Sequence, residues 1–140
     1  MRTLRIKIPA TVENWEEVSK FLNETLDEVN ASMKTKIQLE TAAEEIYVNI
    51  AHYAYPEYVG EAEVIFSIDE DEEECEAMLC FKDSGIPYNP LEKEDPDITL
   101  SAEEREIGGL GIFMVKQFMD EAEYRHEEGK NIFTIKKKLR

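Results

Sequence analysis

Several things are scarce in this 140-residue chain, and each scarcity removes a class of function. Lys and Arg number 16 against 32 Asp and Glu, a formal charge of -16. Nucleic-acid phosphates and anionic lipid need basic side chains, so neither is an expected partner. Any polyanion bound here must be met locally, by backbone N–H groups, a metal ion or a few cations. There is no apolar run long enough to cross a bilayer. The start, "MRTLRIKIPA", alternates apolar and basic residues and lacks the continuous apolar stretch of a signal peptide, which makes the cytoplasm the expected location. The only cysteines, Cys75 and Cys80, have an odd spacing that puts them on opposite faces of any strand holding both. We read them as reduced core residues, with neither a bridge nor a metal site between them. No internal repeat is present, and residues 1–140 read as one domain with one core.

What the chain does have is periodicity. "TLRIKI" alternates as a strand does. Val12, Trp15, Val18, Phe21, Leu22, Leu26 and Val29 recur at helical spacing, with Thr11 or Asn14 as candidate caps. A second helix is expected through "KIQLETAAEEIYVNIAHYAY", ending near Pro56. "EAEVIFSI" and "CEAMLCFKD" read as antiparallel partners, joined by six consecutive acids, Asp69 to Glu74, which suit either a cation site or a solvated loop that deters aggregation. A long loop with three prolines follows, "SGIPYNPLEKEDPDITLSAEER". Then come Gly108, Gly109 and Gly111, an apolar helix with Ile112, Phe113, Val115 and Met119, and a closing hairpin with Gly129 in its turn. Strand, helix, helix, strand, strand, loop, helix, strand, strand is not a doubly wound order. It predicts an α+β fold, a two-layer sandwich of a mostly antiparallel sheet with helices on one face.

Three stretches carry chemistry. On the second helix, Leu39, Ala42, Ala43, Ile46, Ile50 and Tyr53 share an apolar arc, and Glu45, Asn49 and His52 lie on a stripe beside it. That stripe is either a wet flank or a site. An amide oxygen there would suit magnesium, and a carboxylate could draw a proton from a hydroxyl or a water. Asp83, ending a strand before Gly85 and Pro87, is either a turn cap or an acceptor for an amino group such as that of adenine. The glycines before the last helix either permit a close helix-to-sheet contact or bare the N–H groups that receive an anion, with the helix dipole assisting. They form no dinucleotide fingerprint, and both the P-loop and the H-R-D and D-F-G motifs of ordinary protein kinases are absent.

Taken in order, "EEIYVNIAHYAY", "KDSGIPYNP" and "GGLGIFMVKQFMD" resemble the N box and the two glycine boxes of the GHKL superfamily, the Bergerat ATP-binding fold. The D-x-G-x-P form, the tail "EYRHEEGKNIFTIKKKL" and the length resemble the anti-sigma-factor serine/threonine kinases, which include stationary-phase and sporulation anti-sigma factors. The resemblance implies Glu45 as general base and Asn49 as magnesium ligand. It implies Asp83 as the holder of the adenine amine, with Gly85 allowing the base to approach. Gly109, Leu110 and Gly111 would offer backbone to the phosphates. The loop from about Pro90 to Ile107 would be an ATP lid, with Arg105 near the terminal phosphate. His52 falls in the N box and reads as a structural side chain. A sensor histidine kinase core is the less expected reading, since the given chain shows no helical hairpin with a phospho-accepting His ahead of these boxes and neither His52 nor His126 is placed to serve. The implied cofactors are ATP and Mg2+, and the implied partners are a sigma factor and an antagonist protein phosphorylated on Ser or Thr, with the chain acting as a homodimer. A nucleotide-gated binding module or a simple ATPase are the alternative functions.

Overall fold

The computed structural model describes residues 2–71, 73–92 and 109–139. Five strands, β1 (Arg2–Pro9), β2 (Glu61–Glu70), β3 (Cys75–Asp83), β4 (Glu121–Glu127) and β5 (Lys130–Lys138), form one sheet in the order β1-β2-β3-β5-β4. Every neighbouring pair is antiparallel. Helices α1 (Trp15–Glu28), α2 (Met33–Asn49) and α3 (Gly109–Phe118) pack on one face. This is the expected α+β sandwich.

The strand register decides which residues face the helices. Phe66 lies opposite Leu79, and Leu79 opposite Ile135. Val64, Phe81 and Phe133 form the next row, and all six are buried. Alternation then brings Ala62, Asp83, Asn131 and His126 into line at one end of the same face. The last of these rows matters most below, since it carries polar residues where its neighbours carry core. Both sheet edges bear charge, Arg2, Arg5 and Lys7 on β1 and Glu121, Glu123, Arg125 and Glu127 on β4, which discourages pairing with another chain.

Helix α1 buries Val18, Leu22 and Leu26, and Phe21 meets Phe66 edge to face at 6.3 Å. Neither Thr11 nor Asn14 caps it through its side chain; Asn14 Nδ2 donates instead to the Pro9 carbonyl at 2.8 Å. Helix α2 begins a turn earlier than its apolar pattern suggests, because Ser32 accepts from the Thr35 N–H at 3.1 Å and caps it. It ends in a π-helical turn, Ile50–Ala54. A π turn closes i→i+5 bonds and is wider than an α turn, so the regular helical spacing fails beyond Asn49. That corrects the expected arc: Leu39, Ala42, Ala43, Ile46 and Ile50 are buried, whereas Tyr53 is 55% exposed.

The closing hairpin turns through Glu128 and Gly129, both at positive φ (52° and 76°). In the acidic connection, Asp71 Oδ1 accepts from the N–H groups of Glu73 and Glu74 at 2.9 and 2.7 Å. Among the described residues no group of His, Cys, Asp or Glu is arranged to hold a metal ion. Cys75 is buried on the helix side and Cys80 half-buried on the other side; neither forms a disulfide. The opposite faces were expected, but only Cys75 belongs to the core.

Tyr47, which no apolar periodicity singled out, is the largest fully buried side chain, and its hydroxyl donates to the Thr11 carbonyl at 2.6 Å. Burial pushes the phenol pKa above its ordinary value. The bond ties α2 to the chain reversal between β1 and α1. Tyr47→Phe is expected to lower unfolding stability by about 1–2 kcal/mol by leaving that carbonyl short of a donor. Urea denaturation checks it, with an unchanged slope showing that the folded state is otherwise intact.

Candidate functional site

The polar row at the end of the sheet builds the floor of a pocket. Asp83 is the last residue of β3, and the period-2 alternation of Cys75, Ala77, Leu79 and Phe81 turns it towards the helices. It is 6% exposed. Oδ1 accepts from the Gly85 N–H and from Asn131 Nδ2, each at 2.9 Å. Oδ2 has no protein donor among the described residues, and Asp83 lines the pocket. Desolvation raises the Asp83 pKa; the Asn131 and Gly85 hydrogen bonds and the nearby His126 oppose the rise.

Asn131 holds this floor together. Its Nδ2 also donates to the Ile86 carbonyl at 2.9 Å, while its Oδ1 accepts from the Tyr88 N–H at 3.3 Å and from the Tyr124 hydroxyl. Both amide protons and both acceptor sites are used. Asn131 was not among the residues expected at the site. The signal was present in the sequence, since Asn131 shares its face of β5 with Phe133 and Ile135, and a polar side chain at a core-facing position needs partners.

The turn after β3 is clamped from outside. The Tyr55 hydroxyl donates to the Glu61 carbonyl at 2.6 Å and accepts from the Ser84 N–H at 2.8 Å. Gly60 leaves room for the Tyr55 ring, since a Cβ there would fall 2.3 Å from it. Gly85 sits against the π turn: a Cβ would lie 2.3 Å from the Ala54 carbonyl oxygen, which accepts from Ile86 N–H at 3.0 Å. The bare Cα of Gly85 is thus taken up by Ala54, and Gly85 lies beside the pocket without lining it.

Above the floor, α2 and the π turn supply Ile46, Asn49, Ile50, Tyr53 and Ala54, and Tyr88, Pro90 and Tyr124 close the sides. The cavity is apolar with Asp83, Asn49 and Asn131 as its polar points, as small-molecule sites commonly are. Asn49 Nδ2 approaches Glu45 Oε1 at 3.4 Å, one turn back along α2. The Glu45 carboxylate lies against α3, where a Cβ at Gly111 would fall 2.1 Å from the carboxyl carbon. The bare Cα of Gly111 lets the carboxylate take this position, and a side chain there would push it aside. Glu45 and Gly111 border a second groove, between α2 and α3, which adjoins the pocket.

Of the expected site residues, Asp83 and Asn49 share the pocket, while Glu45 and Gly111 meet beside it. Gly109 and Leu110 open α3, so their backbone lies in its first turn. Arg105, Gly108 and the expected lid beyond Glu92 lie outside the described residues. His52 is exposed and meets Tyr53 edge to face at 5.9 Å.

The family described as the histidine kinase-like ATPase domain matches residues 8–137. The chain is 26% identical over 137 residues to the serine-protein kinase RsbW of Bacillus mycoides (strain KBAB4), covering 95% of this chain and 83% of that protein. It is 28% identical over 135 residues to the serine-protein kinase RsbW of Bacillus cereus (strain B4264), with the same coverage. Among solved structures, the RsbU and RsbW domains of Rv1364c from Mycobacterium tuberculosis match with a TM-score of 0.68 at 19% identity. That match covers 98% of this chain and about a third (32%) of that one, and it speaks to the fold alone.

The Asp83 shift gives a signed prediction. A carboxyl whose folded pKa is raised binds protons more readily folded than unfolded, so its contribution to stability falls as pH rises from the ordinary carboxylate value through the raised one. Ionised Asp83 therefore costs stability near neutrality. Asp83→Asn keeps an oxygen for the Gly85 and Asn131 donors and removes the charge. Thermal melts between about pH 4 and pH 7 are expected to show a melting temperature at neutral pH equal to or above wild type, with a shallower decline as pH rises.

Proposed function

The chain belongs to the histidine kinase-like ATPase domain family, and from that premise we propose that it is a magnesium- and ATP-dependent serine/threonine protein kinase of the anti-sigma-factor type. The observation that carries the reading is the line of Asp83, Asn49 and Glu45, which runs from the floor of an apolar pocket to the start of a glycine-opened helix. A nucleoside triphosphate has the same sequence of needs: an acceptor for the base amine, a ligand for the phosphate-bound metal, and a base at the reacting end. The serine-protein kinase relatives support it independently.

In this reading Asp83 accepts a hydrogen bond from the adenine amine through Oδ2, and Asn131 keeps the carboxylate in that pose. Gly85 lets the turn close tightly enough for the base to seat. Gly109, Leu110 and Gly111 present backbone N–H groups at the positive end of α3 to the phosphates. Arg105 adds a cation from the lid. Asn49 fits magnesium by its chemistry: its amide nitrogen faces Glu45, leaving a hard oxygen donor, and magnesium keeps most of its waters and takes few protein ligands. When bound, the ion neutralises phosphate charge. Glu45 takes the proton of the acceptor hydroxyl, and the remaining catalysis is positioning and charge stabilisation.

The partners belong to the same proposal. The chain, acting as a cytoplasmic homodimer built on one ATP-binding domain, holds a sigma factor inactive and phosphorylates a small antagonist protein. A phosphate adds nearly two negative charges to that antagonist, and a surface of net charge -16 then repels it.

The test is incubation with labelled ATP and a candidate antagonist. Label on the antagonist supports the kinase, free phosphate alone indicates an ATPase, and neither indicates a nucleotide-gated binding module. Glu45→Gln keeps the shape that Gly111 accommodates. It is expected to hold ATP affinity within about threefold while lowering transfer by about a hundred- to ten-thousand-fold. Transfer at the wild-type rate would remove Glu45 from the role of base.

A further inference from the structure

The sheet has a second face, which carries no helix. Ile8, Val64, Phe81 and Phe133 face the core, so alternation turns Lys7, Glu63, Lys82 and Lys130 the other way. Together with Glu61, Ser84, Tyr55 and Tyr58 they line a cavity of about 390 Å³. Its three lysines come from three strands, β1, β3 and β5. Lys7 lies opposite Glu63, and Glu63 opposite Lys82, so the two lysines flank one carboxylate across about 10 Å of sheet. The ion pairs among the described residues use Arg2, Lys36, Arg125 and Lys136, and none of the three lysines forms one, although Glu61 and Glu63 line the same cavity. Asp83 also borders it, but its carboxyl group is turned to the helix side, where Oδ1 is bonded to Gly85 and Asn131.

We propose that this cavity is a second binding site, on the far side of the sheet from the nucleotide pocket, for a small phosphate ester that carries a flat ring. Three ammonium groups against the two carboxylates of that face make a local excess of positive charge, in a chain whose total is -16. Phosphate oxygens accept charge-assisted hydrogen bonds from such groups, and a lysine reaches them as a flexible point charge. Tyr58 is 66% exposed and its ring leans on Tyr55 at 5.3 Å, which leaves its outer face for a second ring to cover. The volume falls in the range of small-molecule sites and exceeds what a lone phosphate ion fills.

One wall of the site is fixed and the other can close. The Tyr55 hydroxyl ties the Glu61 carbonyl to the Ser84 N–H, and Gly60 gives its ring room, so the aromatic wall is held before any ligand arrives. Lys7 and Lys130 are exposed and Lys82 is half-buried, with stems long enough to converge on one phosphate. The site is independent of the kinase reading. It uses neither Glu45, Asn49 nor the glycines of α3, and Asp83 is the one residue that borders both cavities.

The experiment uses the full chain and two aldehyde probes, pyridoxal phosphate and pyridoxal, which condense with lysine amines to Schiff bases. Borohydride fixes the adducts and peptide mass mapping counts them. The readout at each lysine is the rate with pyridoxal phosphate divided by the rate with pyridoxal, so the amine's own reactivity cancels. The ratio at Lys82 is expected to exceed that of the lysines outside the cavity by about fivefold or more, the scale of two or three partly solvated charge pairs. Excess inorganic phosphate is expected to bring it down to their level. Lys130→Glu, at an exposed position, is expected to lower the Lys82 ratio by about threefold or more, and Tyr58→Ala by about twofold. An equal ratio at every lysine, a high ratio only outside the cavity, or a Lys82 ratio that neither variant nor phosphate lowers overturns the site.

Discussion

A carboxylate kept out of water at the end of a central strand is the constraint around which this molecule is arranged. Asp83 is nearly buried, and burial alone would favour its neutral form. Two donors on one oxygen hold it, and one of them belongs to Asn131, a side chain with every hydrogen-bonding position in use. The antiparallel register of β3 and β5 sets the two side chains opposite each other. A slip of one residue in either strand would turn its side chain away from the helices and bring Lys82 or Ile132 to that face instead. The pocket thus inherits its chemistry from sheet register, the part of the fold that the large buried rows of Phe66, Leu79, Ile135 and Val64, Phe81, Phe133 enforce most strongly.

Much of this architecture could be read from the chain before the structure. Period-2 alternation located β1, β2 and β3, and period-3.6 spacing located α1 and α2, because in each a single face is buried. Glu45 and Asn49 were paired by helical geometry, and Asp83 by its place at a strand end. Three features escaped for physical reasons. The π turn at Ile50–Ala54 changes the angular step, and no residue type announces it, so Tyr53 was assigned to the core and is instead at the pocket mouth. Asn131 acts through residues 48 positions away (Asp83) and 43 positions away (Tyr88), contacts that local pattern does not encode. Gly60 and Gly85 are explained by the Tyr55 ring and the Ala54 backbone, neither of which is a sequence neighbour of the glycine it meets.

The site is also braced unevenly. Its floor is stapled by Tyr55 to Glu61 and Ser84 and by Asn131 to Ile86 and Tyr88, so the Asp83 end has little freedom. The other end rests on the contact between α2 and α3, where the Glu45 carboxylate lies against a helix start and the Asn49–Glu45 approach is long at 3.4 Å.

The contact between Glu45 and Gly111 has a consequence for descent. A Cβ at the second position would meet only the tip of the first residue's side chain, so it would be answered by a swing of that carboxylate and not by a shift of backbone. A methyl group at the second position, in any related chain, therefore marks a carboxylate at the first that points elsewhere.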